Sequence, residues 1–106
     1  MEIISRHYLK ILALEVETPG STAEQFQSHL RAEARRVWEL YQAGTLREIY
    51  FRQDWPGAVL ILECANADEA RDALATLPLV QAGLIAFEII PLQPYPGLAR
   101  LFSEEP

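Results

Sequence analysis

Four side chains in this sequence have the chemistry for proton transfer on a small acidic molecule. They are His7, Tyr50, Arg52 and Asp54. An imidazole that titrates near neutral pH can abstract a proton next to a carbonyl group, especially beside a carboxylate. An arginine can hold a substrate carboxylate through two parallel hydrogen bonds. These side chains form a site only if the fold brings them to one place.

The middle of the chain predicts a β-hairpin. Residues 46–52 and 58–64 are apolar, strand-like runs, and the turn between them contains Pro56-Gly57. A strand is predicted before the hairpin at residues 7–17, and another after it at residues 84–92. With a helix between each outer strand and the hairpin, the predicted order is βαββαβ.

Two helices are predicted from apolar residues at intervals of three and four. The first begins with a capping box of Ser21 and Glu24 and ends near Ala43, where Gly44 closes it. The second begins with Asn66 and Glu69 and ends before a proline, and the run Gly97 to Phe102 predicts a short helical turn.

Right-handed crossovers turn this order into an α+β, ferredoxin-like fold. The sheet is antiparallel with strand order 4-1-3-2, and both helices cover one face. Strands 3 and 4 are apolar on both sides, as AVLIL and LIAF show, so the open face needs a cover. The economical cover is a second copy, which predicts a homodimer through the open sheet face; a different partner protein is the alternative.

Composition excludes several classes of function. A chain of 106 residues predicts a single domain over residues 1–106, and its net charge of -6 argues against nucleic acid as a partner. Its apolar runs are too short to span a membrane, which predicts a soluble, cytoplasmic protein. One cysteine and two histidines without acidic companions at ligand spacing predict no metal.

Two stretches carry a resemblance to a known family. LATLPLV at residues 74–80 and FEIIPLQPYP at residues 87–96 resemble the muconolactone isomerase family of the dimeric α+β barrel superfamily. The resemblance implies a short dimer that isomerises a lactone without a cofactor, by proton transfer inside the barrel.

Aligning the chain with this family predicts which side chains face the interior. Ile11 and Ala13 occupy positions where those isomerases carry polar, cavity-facing side chains, and Glu48 occupies the place of an expected arginine. If Ile11 and Ala13 face the barrel, alternation sends Tyr8, Lys10, Leu12, Leu14 and Val16 towards the helices. In strand 2, Glu48, Tyr50 and Arg52 turn to the interior.

We predict that the candidate residues meet at one mouth of the barrel. Strands 1 and 3 are taken to start at the end where strands 2 and 4 finish, which gathers His7, Tyr50, Arg52 and Asp54, with Tyr95 nearby. Ile11, Ala13, Glu48 and Tyr95 are the predicted ligand contacts. In the alternative interpretation, His7 is a solvated residue at a strand start, and Arg52 and Asp54 form a surface ion pair around the turn.

Two functions follow from these predictions. The first is a cofactor-independent, isomerase-like or lyase-like enzyme of small-molecule metabolism, which acts on a small carboxylate or lactone in the barrel. The alternative is a non-catalytic dimeric module that binds a small ligand or only assembles. The apolar Ile11 and Ala13 favour the alternative.

Overall fold

Four antiparallel strands form one sheet in the computed structural model, which describes residues 8–16 and 18–104. The strands lie in the order β2-β3-β1-β4. They are β1 (Leu9–Val16), β2 (Leu46–Phe51), β3 (Ala58–Cys64) and β4 (Ala86–Pro91). This order is the predicted 4-1-3-2 sheet read from its other edge, and it confirms the α+β, ferredoxin-like prediction.

The first predicted helix is divided into two. The helices are α1 (Ala23–Gln27), α2 (Leu30–Gln42), α3 (Ala67–Leu74), α4 (Pro78–Gln81) and a 3-10 helix (Gly97–Phe102). Between α1 and α2, the N–H of His29 donates to the carbonyl of Phe26 at 2.9 Å, a tight turn that starts a new helix. The proline predicted to stop the second helix is Pro78. It occupies the first position of α4, where proline is tolerated because that position needs no N–H donor.

The ends of the helices agree with the prediction except at the first cap. There the N–H of Thr22 donates to Oε1 of Gln25 at 2.8 Å, one residue beyond the predicted Ser21 and Glu24. At α3 the predicted cap is confirmed, because Glu69 N–H donates to Oδ1 of Asn66 at 2.8 Å. Gly44 follows α2 with a φ of 81°, a conformation that favours glycine.

The main core lies between the sheet and the helices, and β1 contributes its odd-numbered residues to it. Ile11 and Ala13 are both 0% exposed and pair with Leu62 and Leu60 of β3. The same cluster contains buried residues of α2 and α3, among them Leu40, Ala70 and Leu74. The prediction that Ile11 and Ala13 face the barrel interior is therefore wrong. They face the helices, and they have no surface to offer a ligand.

The other face of the sheet carries the even-numbered residues of β1, which were predicted to meet the helices. The register groups an apolar stripe there, which we call the open-face stripe: Leu12, Leu14, Val59, Ile61 and Ile90. All five side chains are half-buried. Polar side chains flank the stripe: Lys10, Glu48, Tyr50, Glu63 and Glu88. An apolar centre with a polar border is typical of a surface that another protein covers.

Candidate functional site

The predicted mouth does not form, because β1 and β3 run in opposite directions. Leu9 at the start of β1 pairs with Cys64 at the end of β3. Phe51 at the end of β2 pairs with Ala58 at the start of β3. The seven residues of β3 separate these two ends by about 20 Å. The prediction that strands 1 and 3 start at the same end of the sheet is wrong, and the first described strand begins far from the hairpin turn.

Arg52 and Asp54 form the surface ion pair of the alternative interpretation. Nε of Arg52 donates to Oδ1 of Asp54 at 2.8 Å, and Nη2 donates to Oδ2, so the pair is bidentate. The hydrogen bond from Arg52 lowers the pKa of Asp54, and the same bond raises the pKa of Arg52. Both side chains are exposed. His7, the proposed base, lies outside the described residues.

The remaining predicted contacts are dispersed. Tyr50 donates its hydroxyl to Oε1 of Glu48 at 2.7 Å on the open face, and this hydrogen bond raises the pKa of Tyr50. Tyr95 is 73% exposed, and its ring folds over Gly97. It follows the end of β4 that pairs with the N-terminal half of β1, which is the end away from the hairpin turn.

A cleft on the helix-covered side of the sheet is a better candidate site than the predicted mouth. It has a volume of about 340 Å³ and lies between α2 and the sheet. We call it the helix-side cleft. Its walls are apolar apart from the carboxylates of Glu15 and Glu33. The apolar lining residues are Leu30, Ala34, Val37, Ile49, Phe51, Ala58, Leu60, Leu77, Leu79, Ile85 and Phe87. The volume is near the lower end of the range for ligand pockets, roughly 300–1,000 Å³, and so suits a small ligand.

Each of the two carboxylates is held by a backbone N–H from a distant part of the chain. The N–H of Leu79 donates to Oε1 of Glu33 at 2.9 Å, and the N–H of Ala58 donates to Oε1 of Glu15 at 3.1 Å. Leu79 lies in the first turn of α4, whose amide groups lack partners within the helix. Glu33 therefore caps α4 while lining the cleft. In the part of the chain that the structure describes, no second hydrogen bond to either carboxylate is seen.

Burial raises the pKa of the Glu33 carboxyl. Loss of hydration is the largest cause, and repulsion by the charge of Glu15 adds to it. The hydrogen bond from Leu79 and the charge of His29 act in the opposite direction, but the net shift is upward. A carboxyl group in an apolar cleft with a raised pKa is the type of group that enzymes use for proton transfer.

Sequence reasoning missed this pair of acids. Glu33 falls on the apolar stripe of α2, between Leu30 and Val37, and Glu15 stands among the apolar residues of β1. An acid at a helix position that the periodicity assigns to the core was the available signal. Nothing local links Glu33 with Glu15, because they meet only when α2 packs over the sheet.

A second cleft of about 500 Å³ continues the first towards the hairpin turn. It shares Glu15, Leu30, Phe51 and Leu79 with the helix-side cleft, and Trp55 of the turn lines it as well. The guanidinium of Arg52 lies 5.5 Å from the centre of the Trp55 ring and helps to hold it. The ion pair of the turn thus positions an aromatic side chain at the outer cleft.

The described residues offer neither a metal-binding cluster nor a membrane-spanning helix. Across residues 8–16 and 18–104, no group of three or more histidine, cysteine or acidic residues could hold a metal ion. No helix within those ranges is long and apolar enough to cross a bilayer. Cys64 is buried in the main core.

A family model described as muconolactone delta-isomerase matches residues 9–97. The chain belongs to the muconolactone delta-isomerase family. This confirms the resemblance seen in the sequence. The family match spans both Glu15 and Glu33, so the helix-side cleft lies within the part of the chain that the muconolactone delta-isomerase family shares. No curated protein matches the chain.

Proposed function

We propose that this member of the muconolactone delta-isomerase family is a cofactor-independent isomerase that moves a proton on a small lactone bound in the helix-side cleft. The observation that carries the proposal is the Glu33 carboxyl, which is half-buried in an apolar cleft and has a raised pKa. Family membership supports the reaction class, and the cleft supplies a volume that suits a small ring.

In the proposed mechanism, Glu33 acts as both base and acid. Its carboxylate takes a proton from the saturated carbon attached to the C=C bond that is conjugated with the lactone carbonyl, and the electron pair of that C–H bond passes into a dienolate. Glu33 then returns the proton to the carbon next to the carbonyl, which moves the double bond. A single carboxyl suffices, because the proton lost equals the proton gained. The apolar walls limit exchange of this proton with water.

The proposal includes a dimer formed through the open-face stripe. Leu12, Ile61 and Ile90 lie side by side at its centre, and polar residues flank it. The C-terminal 3-10 helix supports a partner as well, because Leu98, Leu101 and Phe102 are 63%, 76% and 89% exposed. Apolar groups of this size rarely stay in water on a monomer. A second copy would cover both surfaces with a single two-fold interface.

A non-catalytic ligand-binding module is the second candidate. The observation in its favour is that both acids stabilise the fold. Glu33 accepts a hydrogen bond from Leu79, and Glu15 accepts one from Ala58, so neither acid needs a catalytic role to explain its position. Such a module would bind a small apolar molecule in the helix-side cleft and release it unchanged. Isomerisation of a bound lactone would identify an enzyme, and binding without isomerisation would identify the ligand-binding module.

Filling the cleft tests the proposed location of the site. Ala34 lines the cleft from the exposed side of α2, so Ala34→Phe should fill it without disturbing the core. We expect this variant to lose turnover of a small unsaturated lactone by at least about tenfold, since a misfit of even one methylene group costs that much. Turnover is followed by the change in ultraviolet absorbance as the double bond moves into or out of conjugation.

Arg52→Ala is the matched control, because it removes the arginine of the ion pair in the hairpin turn and leaves the lining of the helix-side cleft unchanged. Its turnover should stay within a few-fold of the wild type. Loss of activity in Arg52→Ala together with normal activity in Ala34→Phe would show that the chemistry occurs near the turn. If the wild type and both variants all fail to isomerise the lactone, the proposed reaction is contradicted.

A further inference from the structure

The outer cleft, which lies beside the hairpin turn, has aromatic side chains from three elements in its walls. Phe26 comes from α1, Phe51 from the end of β2, and Trp55 from the turn itself. Phe26 and Trp55 do not belong to the described lining of the helix-side cleft. Because aromatic rings stack on planar groups, the outer cleft offers a planar ligand contacts that the helix-side cleft lacks.

The outer cleft is continuous with the proposed reaction site. Glu15, Leu30, Phe51 and Leu79 line both clefts, and the N–H of Leu79 donates to Oε1 of Glu33 at 2.9 Å. The helix-side cleft, at about 340 Å³, suits a small ring, and the outer cleft adds about 500 Å³. A lactone beside Glu33 therefore has room to extend a substituent towards the turn.

The ring of Trp55 is packed against the backbone of the turn. The N–H of Gly57 donates to the carbonyl of Trp55 at 2.7 Å, and Gly57 is buried. A Cβ atom at position 57 would lie 2.5 Å from Cη2 of the Trp55 ring, whereas carbon atoms in contact prefer about 3.5–4.0 Å. The absence of a side chain at Gly57 therefore lets the ring take its place at the cleft.

We propose that the outer cleft binds a planar substituent of the lactone and that Trp55 selects for it. This inference rests on the proposed function, since it describes a second part of the same substrate. An aryl substituent would stack on Trp55 and cover apolar surface of Phe26 and Phe51. These contacts are made equally before and during the reaction, so they lower KM and leave kcat unchanged. A lactone that fits the helix-side cleft alone does not reach Trp55.

Two lactones test the proposal with the full chain. Both have the same unsaturated five-membered ring, and one carries a benzyl group where the other carries a methyl group. Trp55→Ala should raise KM for the benzyl lactone by at least about tenfold, because stacking and apolar contact are lost. Its kcat, and both constants for the methyl lactone, should be nearly unchanged. Trp55→Phe, which keeps an aromatic ring, should raise KM for the benzyl lactone less than Trp55→Ala does.

Gly57→Ala tests the position of the Trp55 ring without removing it. The added Cβ atom displaces the ring, so KM for the benzyl lactone should rise in this variant as well. Adding Gly57→Ala to Trp55→Ala should raise KM no further, because the added methyl group then has no ring to displace. Additive increases would contradict the role given to Gly57.

The outcomes separate this inference from the proposed function. If the wild type isomerises the methyl lactone, and Trp55→Ala leaves KM for the benzyl lactone unchanged, the subsite is wrong and the proposed reaction stands. If the wild type isomerises neither lactone, the proposed function is overturned, and melting temperatures test the subsite alone. A rise with the benzyl lactone that Trp55→Ala abolishes would support the subsite. No rise, or a rise that Trp55→Ala keeps, would overturn it.

Discussion

Glu33→Gln should lower turnover of an unsaturated lactone by about 10²- to 10⁴-fold, the usual contribution of a positioned acid–base group. The amide cannot accept and return the proton. Its oxygen can still accept the hydrogen bond from the N–H of Leu79, so α4 stays capped and the cleft keeps its shape. Absorbance assays on wild type and variant, each checked by circular dichroism, measure the loss.

The same substitution should stabilise the fold at neutral pH. The pKa of Glu33 is raised above 4.5 in the folded chain, so the folded state holds the proton more tightly than the unfolded state does. The wild type therefore loses stability as the pH rises from 4.5 through the folded pKa, and Glu33→Gln does not. We expect a higher melting temperature for the variant at pH 7 and convergence of the two proteins below pH 4.5.

Glu39→Gln is the control for both effects, because Glu39 lies on the same helix, is exposed, and pairs with the partly exposed Arg36. It should change neither turnover nor the pH dependence of stability by much, since surface ion pairs contribute little. Wild-type turnover in Glu33→Gln would exclude Glu33 as the acid–base group. A lower melting temperature for Glu33→Gln at pH 7 would show that its charge stabilises the fold.

Leu12→Asp should convert the protein from dimer to monomer, with the dissociation constant raised by at least about 10³-fold. Leu12 lies at the centre of the open-face stripe, between Ile61 of β3 and Ile90 of β4. A dimer through this face would bury one unpaired carboxylate from each subunit, and each would cost several kcal/mol. Sedimentation equilibrium across micromolar concentrations measures the change.

Leu12→Met is the control for that experiment, since it conserves apolar volume and should remain dimeric. Ile90→Asp, at the edge strand, should give the same monomer with less risk to the fold. A wild type that sediments as a 12.0 kDa species, or a Leu12→Asp protein that stays dimeric, would contradict the proposed interface.

The sequence predicted the fold because its signals are local. Pro56-Gly57 marks the hairpin turn, Gly44 ends α2, and Asn66 caps α3. The two faces of β1 were predicted wrongly, since β1 reads LKILALEV and is largely apolar on both sides. Alternation then groups the residues correctly but leaves open which group meets the helices. The choice made from the family alignment placed Ile11 and Ala13 on the wrong side.

The site was beyond local reasoning because its bonds join distant residues. Glu33 meets Leu79 across 46 positions, and Glu15 meets Ala58 across 43. Spacing along the chain cannot reveal such pairs. The predicted mouth failed for a related reason, since it depended on the relative direction of two strands. Among the candidate site residues, Arg52 and Asp54, two residues apart, form the ion pair of the alternative interpretation.

The most direct test of the helix-side cleft is to titrate isotope-labelled protein with the methyl-substituted unsaturated lactone and to follow the backbone amide signals by NMR. If the cleft is the site, the largest shifts will occur at Leu30, Val37, Leu79 and Phe87, which line it. Shifts confined to Glu48, Tyr50 and Arg52 would instead place the ligand on the open side of the sheet and contradict the account.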